Sequence, residues 1–190
     1  MDCLGRWDPQ VFNENIVSST RDEILGTIVR TCQEGNVPRA ISSFPGVQVL
    51  DRLLKSFLTC HANQTDSFIH IPTFRPAEAR VELLIACIAF ASTMSPSRPI
   101  QKLGLALQEI LVFQLWIVVR TNTLFIFDVN SSTNITLLVQ SEKSNALIHD
   151  LQFLQASALH LADGLWSGSR RKMEMSGSFI GIITNVLELL

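Results

Sequence analysis

Apolar positions recur at intervals of three and four along most of this 190-residue chain, the spacing that lays one greasy stripe along each of several helices. The clearest stripe follows Phe44-Pro45 and runs through Leu50, Leu53, Leu54, Phe57 and Leu58, predicting a helix over residues 45–61. A second is predicted over residues 76–94, opened by Pro76 in its first turn, with Val81, Leu84, Ile85, Ile88 and Ala89 on one face. Leu83, Cys87 and Phe90 occupy its other side, so neighbours should enclose it around most of its circumference. Between the two, Ser67-Phe68-Ile69-His70-Ile71-Pro72-Thr73-Phe74 holds a helix end, an aromatic anchor and a rigid turn in one window. Pro72 fixes its own φ and biases Ile71 toward extended geometry, so this window is a corner.

The remaining segments extend the pattern. Residues 1–18 keep no period and contain Pro9, which predicts a mobile leader. Thr20 and Glu23 have capping-box spacing ahead of Ile24, Ile28 and Cys32, and Gly35-Asn36-Val37-Pro38 ends that helix. Ser95-Pro96-Ser97-Arg98-Pro99 is a break, after which Leu103, Leu107, Ile110 and Leu111 resume a stripe. Leu147, Leu151, Leu154, Ala158, Leu161 and Leu165 form another, expected to end at Gly164 to Gly168 with Trp166 plugging the bend. The last helix carries Phe179, Ile182, Ile183, Val186, Leu187 and Leu190. Its stripe is still running at the final residue, which predicts a bundle incomplete at that end. Trp116 to Gln140 is different, because Ile117, Val118, Val119, Thr121, Thr123, Phe125, Ile126 and Phe127 are β-branched or aromatic. That composition predicts an insertion spanning residues 111–140, non-helical over 112–140, either a hairpin around Asp128-Val129-Asn130-Ser131 or an irregular apolar excursion. The expected fold is all-α, an irregular multi-helix bundle forming one domain over residues 19–190.

Composition narrows the functions open to such a bundle. Charged residues are 17% and hydrophobic residues 47%, too apolar for wholesale disorder, and a net charge of -2 supplies no basic field for nucleic acid. Cys3, Cys32, Cys60 and Cys87 lie nearly thirty residues apart, unlike the close pairs that present two thiolates to zinc, and are expected to be reduced and structural. Gln108, Glu109 and Gln114 interrupt the apolar run from Leu105 to Val119, which favours a buried helix over a membrane span. His61, His70, His149 and His160 lack ligand spacing, and Gly164-Leu165-Trp166-Ser167-Gly168 puts its serine one position away from the nucleophile-elbow pattern, with no strand before it. Asp51 with Arg52 reads as a solvated helix edge, and Arg170-Arg171-Lys172 as a solvated first turn. No catalytic, cofactor-binding or metal-binding residue is therefore predicted, and the chain is not expected to be an enzyme.

Six separated blocks, in order, resemble the fungal-specific transcription factor domain, the middle homology region of fungal zinc-cluster or zinc-finger regulators. They are Ser43-Phe44-Pro45 with Leu50-Asp51-Arg52-Leu53-Leu54, Ser67 to Phe74, Glu82-Leu83-Leu84, Lys102-Leu103-Gly104 with Ala106-Leu107-Gln108-Glu109, Asp150-Leu151-Gln152 with Leu154-Gln155-Ala156, and Gly164 to Gly168 with Arg171-Lys172-Met173-Glu174. The resemblance implies an all-helical regulatory domain in the nucleus, acting on RNA polymerase II transcription through protein partners or the rest of its parent protein. It implies DNA contact, and zinc, only through a separate DNA-binding module that this sequence does not show. Similar proteins cross from the fourth block to the fifth by a shorter, more polar connection. The intruding residues 111–140 accordingly read as a translated, retained intron or a gene-model error, which a dominant spliced message containing them would refute. The alternative from another class is a helical scaffold or partner-binding module with no transcriptional role.

Overall fold

Prolines and glycines place some of the helix ends along this chain, though not always as the sequence suggests. The computed structural model describes residues 8–128, 151–166 and 170–188. Helix α1 (Ser18–Thr31) starts straight after an extended Val17 with no side-chain cap. Thr20 is buried in its first turn and does not cap it, so the capping box is not formed. The Gly35 to Pro38 run, expected only as a stop, also starts a helix: a 3-10 turn over Glu34–Asn36 leads into α2 (Val37–Ser43), with Pro38 in the first turn, where its missing N–H has no intrahelical acceptor to lose.

Helix α3 (Val47–Ala62) buries the predicted stripe, with Leu50, Leu54 and Leu58 fully removed from solvent. Pro76 does not open the next helix. Backbone N–H groups of Glu78 and Ala79 both donate to the Arg75 carbonyl, closing a separate turn, and α4 (Val81–Thr93) starts five residues beyond the proline. As its two-sided apolar pattern requires, α4 is buried around most of its circumference, Leu83, Leu84, Ile85, Cys87 and Ile88 among the residues enclosed. It packs on α3, while α1 packs on α2, α3 and α4. Apolar burial of this extent contributes roughly 25 cal/mol per Å² removed from water, the main term holding these helices together.

The chain forms two compact units, Met1–Leu111 and Val112–Leu190. The division falls inside α5 (Arg98–Asp128). Residues 112–128 are therefore helical, against the expected non-helical insertion. Each β-branched residue costs at most about 0.7 kcal/mol of intrinsic propensity. Extending a helix already nucleated upstream adds a hydrogen bond per residue and escapes the nucleation cost that an independent hairpin would meet. The rest of the insertion, residues 129–140, lies outside the described residues, as does the body of the proposed hairpin.

The buried-helix expectation holds for only one side of α5: Leu107, Leu111 and Leu115 are buried, whereas Leu105, Phe113, Trp116 and Ile117 are exposed. By length and composition alone, Arg98–Val118 is apolar enough to cross a membrane. Near its start, Gly104 lies so close to the end of α4 that a Cβ there would sit 2.8 Å from both Ser92 Cβ and the Thr93 nitrogen. Only a residue without a side chain permits that crossing.

In the second unit, α6 (Leu151–Trp166) packs on α7 (Arg170–Glu188). The predicted leucine stripe is not the buried one: Leu151, Ala158 and Leu165 are exposed, and Phe153, Ala156, Leu159 and His160 are buried. Helix α6 ends at Trp166, inside the Gly164 to Gly168 stretch where its end was expected. Among the described residues no strand occurs, and the fold is an all-α, irregular multi-helix bundle.

Candidate functional site

Two buried histidines and one docked segment carry the polar chemistry of the described residues. The first histidine organises the corner. His61, on the last turn of α3, is 3% exposed, stacked on Phe57 at 5.3 Å and met edge-on by Phe68 at 5.0 Å. Its Nε2 accepts backbone N–H groups from Phe68 at 3.1 Å and Ile69 at 3.2 Å. An imidazole nitrogen that accepts carries no proton, so the ring proton sits on Nδ1, facing Gln64 Oε1 at 3.3 Å. Burial holds this histidine below its ordinary pKa, opposed by the Gln64 hydrogen bond and the Asp66 charge. The sequence drew attention to His70, which is exposed and bonds only locally, its Nδ1 lying 2.9 Å from Thr73 Oγ1.

The docked segment is the described part of the expected mobile leader. Residues 8–17 lie along α3 in the opposite direction to it, using Asp51, Lys55 and Thr59, which at i, i+4 and i+8 share one face. Asp51 Oδ1 accepts the Ile16 N–H at 2.9 Å, Lys55 donates to the Asn15 side chain, and Thr59 Oγ1 accepts the Asp8 N–H at 3.4 Å. Asp51 Oδ2 also pairs with Lys55 at 2.8 Å, and this satisfies a lysine that is itself buried. Asp51 is thus the hub of a docking site and not a solvated edge, while Arg52 is exposed as expected. Phe12 and Ile16 are the apolar anchors: both are buried, and Phe12 meets Phe74 of the corner edge-on at 5.9 Å. Arg75 pairs with Glu14 at the rim.

The second histidine lies in the seam between α6 and α7. His160 meets Phe179 edge-on at 5.5 Å, yet its Nε2 has no hydrogen-bond partner, and neither do the hydroxyls of Ser157 and Ser176. All three side chains are buried. Burial lowers the His160 pKa, the nearby Asp163 charge opposes that and Lys172 adds to it. The helices approach here through Gly164, where a Cβ would fall 1.6 Å from Ser176 Oγ and 2.6 Å from its Cβ. Lys172 pairs with Asp163 at 3.2 Å, part-buried, which corrects the solvated reading for one residue of the basic run, while Arg170 is exposed and pairs with Glu174. His149, Ser167 and the Trp166 side chain lie outside the described residues.

Cys32, Cys60 and Cys87 are free thiols, and burial pushes the Cys87 pKa up, leaving it protonated and inert. Among the described residues, no group of three or more His, Cys, Asp or Glu could hold a metal ion. What the arrangement does is hold segments against helices: at the corner and under residues 8–17, side chains capture backbone N–H groups. Sequence reasoning set His61 aside as a structural histidine without naming what it holds, and missed Lys55 and Asn15. The Asp51-Lys55 spacing was a legible signal, whereas their partners, 35 to 40 positions away in sequence, were not. No family model, curated protein or solved structure matches this chain.

Proposed function

We propose that this chain is the regulatory, middle homology domain of a fungal nuclear transcription factor and acts on RNA polymerase II transcription by helix packing against protein partners. The observation that carries this reading is the six-block sequence resemblance, of which the first three blocks build one continuous core. Leu50, Leu53 and Leu54 of the first block, Ile69 and Phe74 of the second, and Leu83 and Leu84 of the third are all buried.

The mechanism is conformational. A partner that binds one packing of the helices better than another shifts the population toward it, by no more than its difference in affinity for the two. The test is a reporter assay with the chain fused to a heterologous DNA-binding domain and directed to a promoter. Activation or repression of the reporter is the expected result. A well-expressed nuclear fusion without effect in either direction overturns the reading and leaves a partner-binding module without a transcriptional role.

A further inference from the structure

We propose that residues 8–17 form a displaceable strap, and that the groove beneath it on α3 and the corner docks a short segment of a partner protein. That segment would carry an aromatic and a branched aliphatic side chain four residues apart with a carboxylate between them, the pattern of Phe12, Glu14 and Ile16. The inference does not depend on the transcriptional reading.

The resident strap defines what the groove recognises. Phe12 fills the space beside Phe74, and Ile16 is the second buried anchor. Glu14 meets the Arg75 cation, Asn15 accepts from Lys55, and the Ile16 N–H is taken by Asp51. Aromatic fit, charge complementarity and capture of one backbone donor are the usual elements of short-segment recognition.

The strap is held by side-chain anchors and side-chain hydrogen bonds and not by a ladder of backbone hydrogen bonds, so it can open as one piece. It has no regular secondary structure beyond a turn, and among the described residues its backbone-to-backbone hydrogen bonds are local: the Val11 and Phe12 N–H groups donate to the Asp8 carbonyl, and the Val17 carbonyl accepts from Arg21 in the first turn of α1. Val17 is exposed, as are Pro9, Gln10, Asn13 and Asn15. Two apolar anchors without a backbone ladder to the rest of the unit mark a segment that opens below the free energy of global unfolding. The groove, in contrast, rests on α3, whose Leu50, Leu54 and Leu58 are locked in the core. A weak cover on a rigid floor can be exchanged without unfolding either.

The strap is tethered beside its groove and competes at an effective concentration near millimolar, so an added segment should bind the unmodified chain poorly. The experiment measures fluorescence anisotropy of a labelled synthetic peptide with the sequence of residues 8–17 against the full chain and its Phe12→Ala variant. Weakening the resident strap should tighten peptide binding about tenfold or more. Adding Phe74→Ala to that variant should abolish binding, and a peptide with Glu14→Lys should bind more weakly. Equal affinity for the unmodified chain and the folded Phe12→Ala variant, or none for either, overturns the proposal.

Should Phe12→Ala fail to fold, hydrogen exchange on the unmodified chain decides. The Ile16 amide must exchange far faster than those of Leu84 and Ile85, and equal protection overturns the proposal. A dimer held by exchanged straps, detected by sedimentation and by a cross-link between positions 12 and 74 of different copies, would also overturn it by assigning the groove to a second copy.

Discussion

His61 and His160 are the same device used under opposite conditions. Each is buried beside a helix, packed on an aromatic ring and held below its ordinary pKa by loss of water. At the corner the free ring nitrogen takes two backbone N–H groups, whereas in the α6–α7 seam it takes none, and two buried serine hydroxyls share that condition. A satisfied buried polar group fixes one arrangement of the chain around it. An unsatisfied one adds desolvation cost and specifies little. The comparison therefore divides the molecule into a region whose geometry depends on its histidine and a region that merely accommodates one.

The sharpest way to break this comparison is to delete the ring at the corner. His61→Leu leaves the Phe68 and Ile69 N–H groups without their acceptor and should destabilise the first unit by about 3 kcal/mol, at the usual cost of stranded donors. A urea titration followed by Trp-independent far-UV circular dichroism would check it, and an unchanged midpoint would remove His61 from its organising role. Next in size is Gly164→Ala, which drives a methyl group into Ser176. Overpacking of this kind costs about 2 kcal/mol. Ser176→Ala should relieve only part of the loss, because the Ser176 Cβ itself lies 2.6 Å from the new atom.

Acidification tests both histidines together. Their folded pKa values are depressed, so below the ordinary value of 6.5 the unfolded chain binds protons that the folded chain refuses. Stability from these groups is complete above that value and declines as pH falls through the window beneath it, ending below the folded pKa values. Melting midpoints measured from pH 8 to pH 5 should therefore fall, and the fall should be shallower in either single histidine variant. The smallest effect is expected for His160→Leu. Removing an orphaned polar group in favour of an apolar one should leave stability within about 1 kcal/mol of the original, on either side. A loss as large as that of His61→Leu would erase the distinction between the two regions.

The strap adds a second contrast, between segments that the sequence makes look alike. Residues 1–18 and the corner both lack helical period, yet the corner was legible and the docking of the strap was not. Pro72 and the aromatic residues around it act locally, and their consequences follow from neighbours in sequence. Phe12 and Ile16 gain their role only from α3 and Phe74, far along the chain, and a lone apolar pair in a polar stretch gives no period to detect. The same logic explains α6. Its leucines repeat strongly, but Gly164 allows the closer approach of α7, and the face that carries it is the buried one.

The all-α class, the buried stripes of α3 and α4 and the corner between them were legible in the amino-acid sequence, because helical period, proline geometry and apolar spacing act within a few residues. Only tertiary contacts settled that Asp51 and Lys55 hold a strap and that one buried histidine is satisfied while another is not. Those outcomes depend on which distant groups meet, and a buried polar atom takes its energy from the partner it finds.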